Sequence, residues 1–232
     1  MALRFDDFDI LMFDCYGTLI DWESGLLFAL KPVLSKHGVQ VADGPLLEAY
    51  AELETRYEAG PYQPYKSVLR CVLSGLGSQF GFTPSEEELA LFSHSVRNWP
   101  PFDDSAAALQ VLESRYKLVV LSNIDDDLFS HSANHLQVEF DRVFTAQQIG
   151  SYKPSFRNFE YALERLDTPP KRILHIAQSL FHDIKPAQAL GLSTVWVNRR
   201  QGREGFGATP PADTEPDYEV PDLRSLEAAM FR

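Results

Sequence analysis

Asp14, Ser122, Asn123, Lys153 and Asp183 are the side chains whose types and placement could perform covalent chemistry together. Asp14 follows the apolar run Phe8–Phe13, and Ser122-Asn123 follow Lys117–Leu121. Lys153 sits in the loop Gly150-Ser151-Tyr152-Lys153-Pro154, and Asp183 comes after Gln178-Ser179, beyond the run Ile173–Ala177. A carboxylate beside a lysine is held ionised and can attack an electrophilic carbon or phosphorus. Ser122 and Asn123 could bind a polar substrate group, and the second carboxylate could position or activate a water. Asp14 is therefore the candidate nucleophile.

Such side chains work together only if the fold gathers them. The runs Phe8–Phe13, Lys117–Leu121, Arg142–Thr145, Ile173–Ala177 and Thr194–Val197 read as short buried strands. From Ser105 onward they alternate with helical patterns at Ser105–Tyr116, after Asp125-Asp126-Asp127, at Phe156–Leu166 and at Asp183–Leu190. Strands alternating with helices predict an α/β fold, a parallel sheet covered on both faces. Ligands of such sheets bind at the carboxyl ends of the strands, which sends all five side chains to one crevice. Helical patterns fill the chain between the first two strands, including Pro45–Glu58, Lys66–Phe80 and a helix opened by Ser85-Glu86-Glu87-Glu88. This block predicts an all-helical cap over residues 19–100, inserted into a core made of residues 1–18 and 101–232. Gln201–Asp217, rich in Gly and Pro, reads as a long loop before a last helix at Leu223–Met230.

Four segments resemble the motifs of the haloacid dehalogenase superfamily, in family order: Phe13-Asp14-Cys15-Tyr16-Gly17-Thr18-Leu19-Ile20-Asp21, Leu121-Ser122-Asn123, Tyr152-Lys153-Pro154 and Gln178-Ser179-Leu180-Phe181-His182-Asp183. The resemblance implies a Rossmann-like core with a helical cap, and an aspartyl-ester intermediate on Asp14. It makes Thr18 the residue that orients Asp14, and Lys153 the one that lowers its pKa. Ser122 and Asn123 become substrate-binding residues, joined as candidates by Tyr16, Gln178 and Trp22, and Asp183 becomes the residue that serves the hydrolytic water. Phosphatases of the superfamily carry a second Asp, a general acid, where this chain has Tyr16. A halide leaves without a proton, so the chain is most similar to the L-2-haloacid dehalogenase branch, whose substrate is a small carboxylic acid. The same comparison implies no metal and no cofactor.

Other positions depart from that branch. Dehalogenases receive the halide on a cap arginine; Ala51 stands near that position, among Glu48, Glu52 and Glu54, with Arg56 a turn later. Gln178 and Leu180 stand where dehalogenases have Ser and Asn, and Phe159 replaces a Tyr. The segments His175–Asp183 and Arg199–Thr209 are similar to L-azetidine-2-carboxylate hydrolase, a relative that opens a strained cyclic amine by the same attack. That resemblance implies C–N hydrolysis as the alternative to dehalogenation, and an acidic crevice would suit it. Asp125–Asp127 could supply the acidic field, although N-capping of the following helix is the simpler reading. A phosphatase, dependent on magnesium, and a fold retained only for partner binding are further alternatives.

The composition excludes several classes of partner. The chain has 232 residues, with 21 Lys+Arg against 33 Asp+Glu and a net charge of -12. Such a surface repels phosphate backbones and anionic membranes, so neither nucleic acid nor membrane is an expected partner. Cys15 and Cys71 form no disulfide framework, no apolar run is long enough for a leader or a span, and a cytoplasmic protein is expected. Relatives commonly form dimers, so a homodimer is the expected assembly. His131 and His135 share a metal-capable spacing, but no Glu follows the first, and they read as exposed surface. Arg199, Arg200 and Arg203 read as solvated surface, and Trp22, Trp99 and Phe102 as an apolar lining or hinge between cap and core.

Overall fold

The computed structural model describes residues 3–231. Six strands form one sheet: β1 (Ile10–Phe13), β2 (Lys117–Ser122), β3 (Arg142–Thr145), β4 (Ile173–Ala177), β5 (Ser193–Val197) and β6 (Tyr218–Val220). Their order is β3-β2-β1-β4-β5-β6, and every neighbouring pair is parallel. The pleat divides the central strands between two cores. Leu11, Phe13, Leu118 and Val120 face the larger one, and Ile10, Met12, Val119 and Leu121 face the smaller. Both faces of β1 are dry, which is why it reads as a continuous apolar run.

Four helices lie between β1 and the helix that leads into β2: α1 (Trp22–Lys36), α2 (Asp43–Glu58), α3 (Tyr65–Phe80) and α4 (Glu86–Ser93). The sheet is flanked by α5 (Ser105–Leu112), α6 (Asp126–Leu136), α7 (Ala146–Ile149), α8 (Phe156–Arg165), α9 (Lys185–Ala189) and α10 (Leu223–Met230). Local chemistry sets several helix starts. Asp21 caps α1 through the N–H of Ser24, and Ser85 with Glu88 forms a reciprocal capping box on α4. The chain enters and leaves the helical insertion through a narrow neck, where Ile20 pairs with Pro101 and the Asp21 N–H donates to the Pro100 carbonyl at 2.8 Å. Trp99 closes this neck by packing on the bare backbone of Gly25 in α1.

Several boundaries differ from the expectation. Strand β1 begins at Ile10 rather than Phe8, and the helix expected over 105–116 ends at Leu112. A π-helical turn at Leu180–Ile184 precedes α9, so Asp183 sits in the turn and not in the following helix. The short α7 and strand β6 were not expected. β6 is a three-residue edge strand with two exposed side chains, so it carries no buried apolar run. His131 and His135 are exposed on α6, and no three His, Cys, Asp or Glu are grouped to hold a metal among the described residues. No helix is long and apolar enough to cross a membrane among the described residues.

Candidate active site

After β1 the chain winds tightly around the Cys15 carbonyl, which accepts from the N–H groups of Thr18, Leu19 and Ile20. Gly17 takes a φ of +94°, a left-handed conformation that costs other residues more. This turn stands Asp14 at the carboxyl end of β1, where the strand order reverses and open α/β sheets bind ligands. Thr18 Oγ1 donates to Asp14 Oδ2 at 2.7 Å and accepts from the Gln178 N–H at 2.9 Å. Because the backbone occupies the hydroxyl as an acceptor, its one proton is committed to Asp14.

Lys153 approaches from the other side. Its buried Nζ donates to Asp14 Oδ1 at 2.8 Å, to Asp183 Oδ1 at 2.7 Å and to the Leu121 carbonyl at 2.9 Å, which uses all three ammonium protons. Burial opposes the charge on Lys153, but the two carboxylates outweigh it and raise the pKa. Burial also raises Asp183, yet Lys153 and His175 more than reverse this and hold its carboxyl below the usual range. Burial pushes the Asp14 carboxyl up; Lys153 and Thr18 oppose that and supply the bonds its ionised form needs. His175 Nε2 lies 2.9 Å from Asp183 Oδ1, which fixes the second carboxylate from inside the sheet.

These groups open on a cavity of about 40 Å³ between the strand ends and the helical insertion. It is lined on one side by Asp14, Tyr16, Ser122, Asn123, Lys153 and Asp183, and on the other by Trp22, Glu54, Glu58 and Tyr65. The volume admits a molecule of a few non-hydrogen atoms. Ser122 Oγ is buried with no protein partner among the described residues, so it is free to bind a substrate group. Tyr16 reaches the cavity while its hydroxyl lies 2.9 Å from Ser132 Oγ.

Two expected substrate-binding residues act differently. The Asn123 amide is committed: Oδ1 accepts from the Lys153 N–H at 2.7 Å, and Nδ2 donates to the Lys153 carbonyl at 3.0 Å and to Glu58 Oε2 at 3.1 Å. It pins the lysine loop instead of offering a free donor. Gln178 does not line the cavity; its backbone holds Thr18, and its Oε1 accepts from the Thr209 hydroxyl at 3.0 Å. Asp125 caps neither its own helix nor the crevice. Its carboxylate instead accepts from the N–H groups of Tyr65 and Lys66, at the start of α3. The arginines are not simply solvated: Arg199 donates to Asp104 and to the Thr18 carbonyl, and Arg200 pairs with Glu23. Arg56 is exposed, and no arginine among the described residues lines the cavity.

Glu54, Glu58, Tyr65, Ser179, His182 and Thr209 line the cavity without having been singled out for it. Tyr50, Glu54 and Glu58 follow one another at four-residue spacing in α2, a stripe of one helix face that was legible in the sequence. Tyr65, on a different helix, left no such signal. Ser179 Oγ accepts from the His182 N–H at 2.8 Å and caps the turn that carries Asp183. Burial holds His182 down at about 4, so its ring is neutral.

Residues 8–191 match the haloacid dehalogenase-like hydrolase family. The chain belongs to that family. It is 24% identical to the (S)-2-haloacid dehalogenase 1 of Pseudomonas sp. (strain CBS-3) over 95% of this chain and 96% of that one. Among solved structures, an L-2-haloacid dehalogenase matches with a TM-score of 0.80 at 25% identity, covering 96% of this chain and 98% of that one. The L-2-haloacid dehalogenase of Xanthobacter autotrophicus matches with a TM-score of 0.78 at 22% identity, covering 95% and 97%. In this haloacid dehalogenase-like hydrolase, four carboxyl groups line the cavity beside a single ammonium whose protons are all used.

Proposed function

We propose that this chain hydrolyses a small L-2-haloacid to the 2-hydroxy acid through an aspartyl ester on Asp14. The observation that carries this reading is the Asp14 carboxylate, gripped by Thr18 and Lys153 at the edge of a cavity sized for a few atoms. One Asp14 oxygen attacks carbon-2, and the halide leaves with the bonding pair. Water then adds to the Asp14 carboxyl carbon, and the ester C–O bond breaks on the protein side. The 2-hydroxy acid is released, Asp14 is restored, and the water's spare proton leaves to solvent. Ser122 offers a donor to the substrate carboxylate, while Asp183, fixed by Lys153 and His175, is the base beside the water. Relatives named as (S)-2-haloacid dehalogenases at near full length support the substrate class.

The four carboxyl groups favour a second reading, C–N hydrolysis of a small cyclic amino acid whose ammonium they would balance. Halide release from L-2-chloropropionate, with EDTA present, tests the first reading. Release that Asp14→Asn abolishes supports it. No release from folded protein, with consumption of L-azetidine-2-carboxylate instead, establishes the second. In either case the substrate is a small carboxylic acid, and the assembly, which we take to be a homodimer, is tested by light scattering.

A further inference from the structure

A departing anion in this cavity needs a donor, and the one ammonium present has none to spare. Lys153 spends its three protons on Asp14, Asp183 and the Leu121 carbonyl, and the cavity holds no arginine among the described residues. Opposite it, on the helical insertion, three oxygens meet in a triangle. Tyr50 Oη and Tyr65 Oη lie 2.7 and 2.6 Å from Glu54 Oε1 and 2.9 Å from each other. Both phenols donate to Oε1, and their own 2.9 Å approach follows from sharing that acceptor. The buried Glu54 carboxyl pairs with no Lys, Arg or His among the described residues, since Lys153 is spent on Asp14 and Asp183. A buried carboxyl without a cation keeps its proton, here on Oε2. Oε2 of the same carboxyl makes no hydrogen bond among the described residues, and Glu54 lines the cavity together with the unpartnered Ser122 hydroxyl.

Resting on the dehalogenation reading, we propose that Glu54 is a neutral carboxylic acid that donates its proton in a hydrogen bond to the departing halide. As the C–X bond breaks, Oε2–H turns to the halide while Tyr50 and Tyr65 both donate to Oε1. No proton is transferred: Asp14 forms the C–O bond, the halide takes the bonding pair, and Glu54 keeps its hydrogen. The tyrosines hold the acid in place and tune it.

The groups facing Glu54 leave it to titrate near neutrality. Burial raises Glu54 to about 7, with the two phenols pulling the other way. Tyr50, Tyr65 and Tyr152 are all pushed up by burial and stay phenols. From the turn after β4, His182 stays neutral; Lys153 stays an ammonium between Asp14 and Asp183. Glu58, bonded to Asn123, is pushed up by burial and by Glu54.

Two measurements test this, and only one needs turnover. Bromide binding to the free protein, read by quenching of Trp22 and the other indoles, is expected to be about tenfold or more tighter at pH 6 than at pH 8.5. Glu54→Gln, a neutral donor that cannot ionise, is expected to bind bromide equally at both, and Glu54→Leu to lose binding by about 10- to 100-fold. Halide release should fall above pH 7 in the wild type and in Glu58→Gln, and lose that fall in Glu54→Gln. If bromide binds without pH dependence, or Glu58→Gln rather than Glu54→Gln removes the dependence, the proposal is overturned. If halide affinity rises with pH, ionisation of Glu54 does not oppose the halide, and the proposal also fails. Bromide binding that follows the Glu54 pattern, with no release from any 2-haloacid, upholds the donor and overturns dehalogenation alone.

Discussion

Replacing Asp125 by Ala should weaken the join between the helical insertion and the sheet by about 2–3 kcal/mol. Helix α3 opens at Tyr65 directly after Pro64, which has no side chain able to cap it. Asp125, just beyond β2 and buried, does so from the other layer: Oδ1 accepts from the Tyr65 N–H at 2.8 Å and Oδ2 from the Lys66 N–H at 3.1 Å. Loss of a capping side chain costs about 0.5–2 kcal/mol. A negative charge at a partly buried helix N-terminus adds up to about 2 kcal/mol, and the two overlap because one carboxylate does both. Asp127 is the internal control. It touches the same segment through Lys66 Nζ at 2.8 Å, but its side chain is 57% exposed, so Asp127→Ala should cost only about 0–1 kcal/mol. Urea unfolding followed by circular dichroism should show the midpoint falling by about 1 M for Asp125→Ala and hardly moving for Asp127→Ala. Since Tyr65 is displaced with its helix, kcat/KM should fall in the first variant only. Equal midpoints for the two variants would refute the assignment of Asp125 as a cap supplied across the layers.

Other expectations follow from the same contacts. Glu54, raised by burial from 4.5 to about 7, keeps a proton that the unfolded chain loses, so its share of stability falls by about 3 kcal/mol as pH rises through that window. His182, lowered by burial from 6.5 to about 4, leaves the unfolded chain holding the extra proton, so its share falls by about 3 kcal/mol as pH drops through its own window. The two slopes oppose one another where the windows overlap; Glu54→Gln should expose the His182 slope between pH 5 and 6.5 in thermal melts. Thr18→Val strands the Gln178 N–H and frees Asp14 Oδ2, so kcat should fall by about tenfold or more with KM little changed in steady-state assays. Gly25→Ala places a methyl on the Trp99 ring at the neck; the clash should outweigh the gain in helix propensity and lower stability by about 1–3 kcal/mol in urea titrations.

The strand and helix alternation, the insertion after the first strand and the strand-end positions of Asp14, Ser122, Lys153 and Asp183 were legible in the sequence. They rest on local causes: dry strands read as unbroken apolar runs, and loops at strand ends carry the polar residues. Contacts between distant segments were not legible. That Lys153 spends all its protons, that the Asn123 amide is occupied and that Gln178 holds Thr18 through its backbone depend on loops from three strands meeting at the point where the sheet order reverses. The Glu54 triangle lies deeper still, because Tyr50 and Glu54 share a helix face while Tyr65 arrives on another helix fixed by Asp125 from the sheet. Periodicity reports which face of an element is buried; what that face meets, and so which carboxyl keeps a proton, is decided by packing.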